Sequence, residues 1–214
     1  MINFVNGSAH HTFDNHGLYT QYAGMLGSPL SANNVLIAAQ LGMPWALDNG
    51  CFKEYDPDGI KRMLIRYQGV DGCKFAVLPD VVCDHAGTRL LASAWIGTYQ
   101  LMGYPIAFVL QNGVTPDSVP WDSISAVFIG GDTAFKYSDT VRMLVDDAKQ
   151  LEKWVHMGRV NSNRRIKYAQ SIGCDSFDGS GFSIAPRSKI KTCLSSYISP
   201  RQMNLWELKE TRKP

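Results

Sequence analysis

The segment Ile106–Gly131, IAFVLQNGVTPDSVPWDSISAVFIGG, contains the pattern that decides the fold of this chain. It holds two continuous apolar runs, Ile106–Leu110 and Ala126–Ile129, and each run ends at a polar residue or a glycine turn. Continuous apolar runs, as opposed to alternating ones, are typical of strands that are covered on both faces in a parallel sheet. The segment therefore predicts two strands of such a sheet.

The same unit recurs along the chain: a short apolar run, a turn and a longer amphipathic segment. The other predicted strands are Ile2–Val5, Val35–Ala38, Trp45–Leu47, Lys74–Leu78, Trp154–Met157 and Cys174–Phe177, of which Val35–Ala38 also suits a helix. The predicted helices are Pro57–Gln68, with Asp56 as its N-cap, Thr88–Met102, Ser138–Leu151, Ser162–Ile172 and Pro200–Leu208. Strands that alternate with helices indicate parallel pairing through right-handed crossovers.

Eight predicted strands favour a closed barrel of the (β/α)8 TIM type over an open, doubly wound sheet. No G-x-G-x-x-G turn follows the first strand, which counts against the open sheet. Such barrels commonly have about 250 residues and at the lower end about 200. A chain of 214 residues therefore predicts a compact α/β barrel, with residues 1–214 in a single domain.

Composition excludes several classes of protein. Apolar residues make up 45% of the chain and charged residues 19%, the ordinary balance of a globular protein. No apolar run is long enough to span a bilayer. The N-terminal segment lacks the features of a signal peptide, so we expect a cytoplasmic location and no membrane partner. The five cysteines, an odd number without C-x-x-C spacing, argue against a disulfide framework and a zinc ribbon.

Charge is distributed unevenly along the chain. The net charge is +2, but residues 187–214 carry seven Lys or Arg and two Glu, so the rest of the chain is mildly acidic. A basic C-terminal tail on such a body fits contact with phosphate groups. A solvated terminal helix has the same composition, so the tail indicates either a phosphate-bearing partner or an ordinary surface helix.

Polar residues or glycines stand at the ends of six predicted strands. In a parallel barrel the carboxyl ends of all strands open onto one face, which is where active sites lie. The residues are Asp48, Asp80, Gln111, Gly130-Gly131-Asp132, His156 and the pair Asp175 and Asp178. Aspartate after a strand is also common turn chemistry, but its recurrence around a ring favours a shared pocket.

Two or three carboxylates in one pocket support two kinds of chemistry. They can hold a divalent metal, or they can transfer a glycosyl group, one as nucleophile and one as acid/base. Spacing does not choose between these. A Ser/His/Asp triad is disfavoured because no G-x-S-x-G turn is present. His10, His11 and His16 lack the H-x-x-x-H spacing of a helical zinc site.

Five segments, in order, resemble motifs of the tRNA-guanine transglycosylases. That family has an Asp-Ser-Gly-Gly-Phe segment, a Gln-Gly turn, a Gly-Gly turn, a Met-Gly-x-Gly strand and a segment with a nucleophilic aspartate. The similar segments here are Leu47–Phe52, Val109–Gly113, Phe128–Gly131, His156–Arg159 and Gly173–Asp178, within a resemblance that covers about Trp45 to Ser183. Pro79–Val82, Val155–Ser162 and Asp175–Gly179 look closer to the phage and bacterial branch that places 7-deazaguanines into DNA.

The resemblance implies a role for each matched residue. Asp178 would be the nucleophile that bonds to the sugar, and Asp48 would be the general acid/base. The residue that recognises the purine would be Asp80 or Asp84: the strand-end position favours Asp80, whereas the family's motif from an aspartate to a threonine, here Asp84 to Thr88, favours Asp84. Asp175 is implied only weakly and also suits a turn cap. The other implied base-binding residues are Asn49, Gln111, Gly130, Gly131, His156 and Gly158. A nucleotide that leaves its stack needs phosphate contacts beside the pocket, and the candidates are Arg159, Arg164, Arg165, Lys189 and Lys191, which also suit solvated helix charges.

One departure from the family concerns its zinc site, which has three cysteines and a histidine after the nucleophile. Here only Cys193 and no histidine follows Asp178. The resemblance therefore implies a barrel without the zinc subdomain, no metal or cofactor, and DNA as the substrate before tRNA, with a free 7-deazaguanine base as co-substrate. A phage-encoded chain would act in the host cytoplasm.

Three alternatives stay open at the level of the sequence. The first is the same exchange on tRNA. The second is a metal-dependent barrel hydrolase or lyase with Asp48, Asp80 and Asp178 as ligands. The third is a non-catalytic, nucleic-acid-binding barrel that acts as the partner subunit of a larger transglycosylase.

Overall fold

The computed structural model describes residues 1–5, 22–31 and 35–179, and in this part of the chain eight parallel strands close into a barrel. The strands pair in chain order, and the last strand pairs with the first. They are β1 Ile2–Val5, β2 Ala23–Gly27, β3 Trp45–Leu47, β4 Cys73–Val77, β5 Ile106–Leu110, β6 Ala126–Ile129, β7 Trp154–Met157 and β8 Ser176–Asp178. The predicted α/β barrel of the TIM type is confirmed.

Helices connect most of the consecutive strands. They are α1 Val35–Gln40, α2 Pro57–Tyr67, α3 His85–Leu101, α4 Thr133–Lys136, α5 Asp139–Gln150 and α6 Asn163–Ser171, and two short 3-10 helices, Pro116–Ser118 and Trp121–Ser123, lie between β5 and β6. None of the helices in the described residues is long and apolar enough to cross a membrane. The predicted helix Pro200–Leu208 and the basic tail 187–214 lie outside the described residues.

The start of α2 follows its sequence signal closely. The side chain of Asp56 accepts a hydrogen bond from the N–H of Gly59 at 2.8 Å, and Pro57 is the first helical residue. The carboxylate satisfies a backbone N–H that has no partner within the helix, and proline loses nothing at a position whose N–H is unpaired. The helix therefore begins where the sequence predicts.

The predicted strand Val35–Ala38 is wrong, because these residues belong to α1. Val35 and Ala38 are buried while Leu36 and Ile37 are 37% and 40% exposed, which is the spacing of a helix face. The second strand is β2, which the sequence prediction missed. A side chain at Gly24 in this strand would lie 2.8 Å from the carbonyl oxygen of Pro44, so β2 needs glycine at a position where strand-forming residues are usual.

The strands separate two layers of buried side chains, because successive residues point to opposite faces. The inner layer fills the barrel with Phe4, Leu26, Ala46, Phe75, Val77, Ala107, Val109 and Ala126, against which Phe128 and Trp154 pack. The outer layer packs strand residues such as Trp45 and Phe108 with helix residues such as Leu64 and Leu144. Burial of each large side chain stabilises the fold by roughly 1.5–3 kcal/mol.

Candidate active site

The carboxyl ends of β3 to β8 surround one narrow cavity of about 140 Å³. A cavity of roughly 150 Å³ holds a benzene ring, so this space suits a flat ring system that enters from an open mouth. Residues predicted from the sequence make up much of its lining: Asp48, Asn49, Asp80, Gln111, Gly130, Gly131, Gly158, Arg159 and Asp178. The barrel therefore brings these residues together around one space, as their strand-end positions predict.

A wider cavity of about 550 Å³ adjoins the narrow one. The two cavities share Asp48, Phe52, Arg159 and Asp178 in their linings. The two aspartates therefore stand at the boundary between a narrow and a wide space, and a molecule that extends through both would pass between them.

Asp178, at the end of β8, receives a hydrogen bond on each carboxylate oxygen. Nε2 of His156 lies 3.0 Å from Oδ2, and the backbone N–H of Arg159 donates to Oδ1 at 3.2 Å. An ionised carboxylate only accepts hydrogen bonds, so two donors suit its anionic form and fix the plane of the group. The carboxylate is 20% exposed and faces both cavities.

Asp48, after β3, has a different environment. Its carboxylate accepts a hydrogen bond from the N–H of Gly50 at 3.2 Å. Burial raises the pKa of Asp48 to about 7, and the negative charges of Asp178 and Asp80 act in the same direction. Near neutral pH this carboxyl group therefore exchanges its proton readily, which suits a residue that donates a proton and later takes one up.

Asp80, after β4, forms the centre of a hydrogen-bond network. Nδ2 of Asn49 donates to its Oδ1 at 2.7 Å, and Nε2 of Gln111 donates to its Oδ2 at 2.6 Å. Burial raises the pKa of Asp80, and these two hydrogen bonds oppose that effect. The orientation of Gln111 is itself fixed, because its Oε1 accepts the N–H groups of Gly131 at 2.7 Å and Cys83 at 2.9 Å. The network presents a carboxylate that can accept N–H groups from a ligand.

Two glycines let the backbone approach these polar side chains closely. A side chain at Gly130 would lie 2.8 Å from Nε2 of Gln111. A side chain at Gly158 would lie 2.6 Å from the ring of Phe128 and 3.4 Å from Oδ2 of Asp178. Any larger residue at Gly130 or Gly158 would therefore displace a group that shapes the cavity.

Sequence reasoning missed Lys136, the last residue of α4, which also lines the narrow cavity. The side chain is only 7% exposed, and its Nζ donates to the carbonyl oxygens of Ile129 and Gly158. Burial lowers the pKa of Lys136 to about 8, while the charge of Asp178 acts in the opposite direction. The cavity therefore has acidic groups after β3, β4 and β8 and basic groups after β6 and β7.

Arg159 connects three sides of the site. Its backbone is in the left-handed region with φ +58°, and its guanidinium donates to the carbonyl oxygen of Gly131 at 2.6 Å and lies 4.6 Å from the ring centre of Phe52. Arg165 donates to the carbonyl oxygen of Arg159 at 3.3 Å. Together with Lys136, the two arginines line a third cavity of about 350 Å³ beside the mouth. Asp132 is the acidic side chain in the same lining, so the positive charges outnumber the negative one, which suits a phosphate group.

Several predicted site residues lie away from the cavity. Asp84 is the exposed N-cap of α3 and accepts from the N–H of Gly87 at 3.1 Å. Asp175 lies at the amino end of β8, opposite Asp178, where it pairs with Lys149 and accepts the N–H of Val155. Arg164 is exposed on α6, and His156 is fully buried deeper in the barrel. Lys189, Lys191, His10, His11 and His16 lie outside the described residues.

In the part of the chain that the structure describes, no group of three or more His, Cys, Asp or Glu side chains is arranged to hold a metal ion. Asp80 and Asp178 each receive hydrogen-bond donors on both carboxylate oxygens. The carboxylate oxygens of Asp80 and Asp178 therefore act as hydrogen-bond acceptors for N–H groups.

The fold and the site define an α/β barrel with a carboxylate-lined pocket at the carboxyl ends of its strands. Comparison with known proteins adds no family to this description. No protein-family model matches the chain, and a search of the curated proteins finds no match.

Proposed function

We propose that this chain is a base-exchange transglycosylase that replaces guanine in DNA with a 7-deazaguanine through a covalent aspartyl-sugar intermediate. The observation that carries the proposal is the contrast between Asp48 and Asp178 at the boundary of the two cavities. One carboxylate accepts two hydrogen bonds, and the other has a pKa raised to about 7. Two carboxyl groups in contrasting environments are what a nucleophile and an acid/base require.

In the first half-reaction the target nucleotide leaves its stack and its base enters the narrow cavity. A carboxylate oxygen of Asp178 attacks C1′ of the sugar, and the C1′–N9 bond to guanine breaks. The electron pair of that bond goes to the leaving base, which takes a proton from Asp48. The products are a sugar bonded to Asp178 and free guanine.

In the second half-reaction a 7-deazaguanine base occupies the space that guanine has left. Asp48, now ionised, takes the proton from the ring nitrogen that attacks C1′. The bond between C1′ and Asp178 breaks, and its electron pair returns to the carboxylate. Two inversions restore the original anomeric configuration, so the new nucleotide has the geometry of the old one.

Base recognition in this proposal uses the network around Asp80. β4 and β8 are opposite each other in the eight-stranded ring, so Asp80 faces Asp178 across the cavity. A guanine whose glycosidic nitrogen points to Asp178 turns its N1–H and 2-amino groups toward the opposite wall. A carboxylate that is held by Asn49 and Gln111 accepts such donors, and the same groups are present in 7-deazaguanines.

The choice of DNA is supported by the segments that look closer to the DNA branch, and tRNA is the alternative outcome. Purified chain is incubated with labelled guanine or a 7-deazaguanine and with duplex DNA or tRNA, and covalent complexes are separated on denaturing gels. We expect label to enter DNA, and Asp178→Asn to abolish both exchange and trapping. Asp175→Asn is the matched control, because it changes the same residue type at the amino end of β8.

Nucleosides from host DNA and host tRNA of cells that express the chain are then measured by mass spectrometry. A modified deoxynucleoside would support the proposal, whereas a modified ribonucleoside found only in tRNA would replace DNA with tRNA. Normal exchange by Asp178→Asn would remove the nucleophile assignment. Activity that is lost on chelation and restored by a divalent ion would favour the metal-dependent alternative, and tight DNA binding without exchange would favour the non-catalytic one.

A further inference from the structure

The inner faces of β7 and β8 carry a continuous chain of hydrogen bonds that ends at Asp178. Nε1 of Trp154 donates to Oγ of Ser176 at 2.7 Å, and that Oγ lies 2.8 Å from Nδ1 of His156. Nε2 of His156 lies 3.0 Å from Oδ2 of Asp178. The four side chains alternate between the two strands and climb toward the cavity.

The pairing of the strands explains this arrangement. His156 and Ser176 are register partners in the parallel pair β7–β8. Residues two apart on a strand point to the same face, so Trp154 and His156 share the inner face of β7 as Ser176 and Asp178 share that of β8. The series of hydrogen bonds from Trp154 to Asp178 therefore follows from the spacing of these residues in the sequence and from the register of the two strands.

The direction of the hydrogen bonds follows from the chemistry of the end groups. The indole of Trp154 can only donate, so Ser176 accepts there and has its own hydroxyl proton for Nδ1 of His156. The carboxylate of Asp178 only accepts, so it requires the proton on Nε2. The neutral Nε2–H form of His156 satisfies both contacts.

The surroundings of His156 support the neutral form. The imidazole is 0% exposed, and its ring centre lies 4.6 Å from that of Phe128, 5.1 Å from that of Phe75 and 5.8 Å from that of Phe4. Burial lowers the pKa of His156, although its contact with Asp178 acts in the opposite direction. A neutral imidazole has one N–H, and the contacts around it direct that N–H to Asp178.

We propose that Trp154 and Ser176 hold His156 as the Nε2–H tautomer, and that His156 in turn fixes the orientation of the Asp178 carboxylate for attack on the sugar. The proposal rests on the proposed function in that it takes Asp178 as the nucleophile. His156, Ser176 and Trp154 are positioning residues, because none of them lines the narrow cavity. The role of His156 thereby changes from the base contact that its motif implies to support of the nucleophile.

The tautomer is tested first, by 15N NMR of the full chain with labelled histidine, with the His156 signals assigned from the His156→Gln variant. We expect the neutral Nε2–H form at pH 7. In Ser176→Ala we expect the Nε2–H form to persist, with a changed 15N shift of Nδ1, which loses the hydroxyl that donates to it. An Nδ1–H form or a protonated ring in the unmodified chain would overturn the proposal. This measurement does not depend on any enzymatic activity.

The consequence for Asp178 is tested by single-turnover formation of the covalent complex. Ser176→Ala and His156→Phe are expected to slow it by about tenfold to a hundredfold, the effect of one hydrogen bond to a charged group, with an unchanged KM for DNA. His156→Gln keeps an amide N–H near the position of Nε2 and should recover part of the rate. If His156→Phe does not fold, Ser176→Ala carries the test alone.

Two further outcomes separate this proposal from the proposed function. Variants with lower thermal stability but an unchanged trapping rate would overturn the positioning role. An unmodified chain that traps no nucleic acid would overturn the proposed function, whereas the tautomer measurement would still decide whether this chain of residues directs its N–H to Asp178.

Discussion

Nε2 of Gln111, the residue after β5, donates a hydrogen bond to Oδ2 of Asp80, which follows β4, at 2.6 Å. In the proposed reaction Asp80 accepts hydrogen bonds from the edge of the base, so Asp80→Asn should weaken base binding. We expect the KM for the free base to rise by about tenfold to a hundredfold, which corresponds to the loss of roughly 1.5–3 kcal/mol. Steady-state exchange with varied base concentration measures this change.

Asp84→Ala is the matched control for Asp80→Asn, because the sequence makes Asp80 and Asp84 alternative candidates for recognition of the purine. Asp84 caps α3 at the surface, so its loss should lower stability by about 1 kcal/mol and leave the KM for the base unchanged. A rise in KM for Asp84→Ala alone would transfer the base contact to that residue.

The raised pKa of Asp48 predicts how the first half-reaction depends on pH. The proposed first half-reaction requires the protonated form of Asp48 when guanine leaves, so the rate of trapping should fall by about tenfold per pH unit above about 7. Asp48→Asn should lose this dependence and react about 10² to 10⁴ times more slowly at pH 6. Rapid-quench trapping between pH 5 and pH 9 gives both values, and an unaltered pH profile in the variant would remove Asp48 from the acid/base role.

The raised pKa of Asp48 also predicts how the free energy of unfolding depends on pH. The pKa of Asp48 in the folded chain, about 7, is above its ordinary value of 3.8, so the folded state holds this proton more tightly than the unfolded chain. Stability from this source is complete below pH 3.8 and is lost as pH rises through about 7. Asp48→Asn should therefore raise the free energy of unfolding at pH 8 by on the order of 4 kcal/mol and leave it almost unchanged at pH 4. Urea unfolding at both values measures the difference.

Gly158→Ala tests the close packing around Asp178. The added methyl would lie 2.6 Å from the ring of Phe128 and 3.4 Å from Oδ2 of Asp178, so we expect slower trapping together with lower stability. Gly97→Ala is the control, because Gly97 lies in α3 with open space around it. This substitution should stabilise the helix by about 1 kcal/mol. Equal trapping rates in the two variants would contradict this account.

The basic cavity beside the mouth predicts a dependence on salt. If Arg165 contacts one phosphate, Arg165→Ala should weaken DNA binding equally across sequences and reduce the slope of log Kd against log salt by about 1. Arg62→Ala serves as control, because that side chain is 73% exposed on α2 and lines none of the cavities described here. Equilibrium binding at several salt concentrations provides the slopes.

The strands that could be predicted are those whose apolar runs are continuous and end at a polar residue. β5 and β6 match their predicted bounds, because every residue of IAFVL and AVFI is apolar, as burial on both faces requires. β2 could not be predicted, because AGMLG owes its glycine to the nearby carbonyl oxygen of Pro44, a contact between distant residues. The sequence of Val35–Ala38 suits a strand or a helix, because four consecutive apolar residues fit either period, and the structure has the helix.

The candidate site shows the same division. Asp48, Asp80 and Gln111 were predictable, because a position after a strand is enough to place a residue on the open face of a barrel. Lys136 was not, since only the closed barrel shows that its ammonium turns inward to the carbonyl oxygens of Ile129 and Gly158. Ser176 had a usable signal: it stands two residues before Asp178, and period-two spacing puts both on one face of the strand.

The closure of the barrel has a consequence for how the molecule is made. Asp178 stands in register with Phe4, so the last strand of the described barrel is held by the first. A growing chain presents Asp48 and Asp80 long before the ribosome has added β8, but the ring cannot close until then. In the proposed reaction, attack on the sugar would therefore depend on completion of the fold. A partial translation product has the groups proposed to hold a base and lacks the one proposed to break its bond to the sugar.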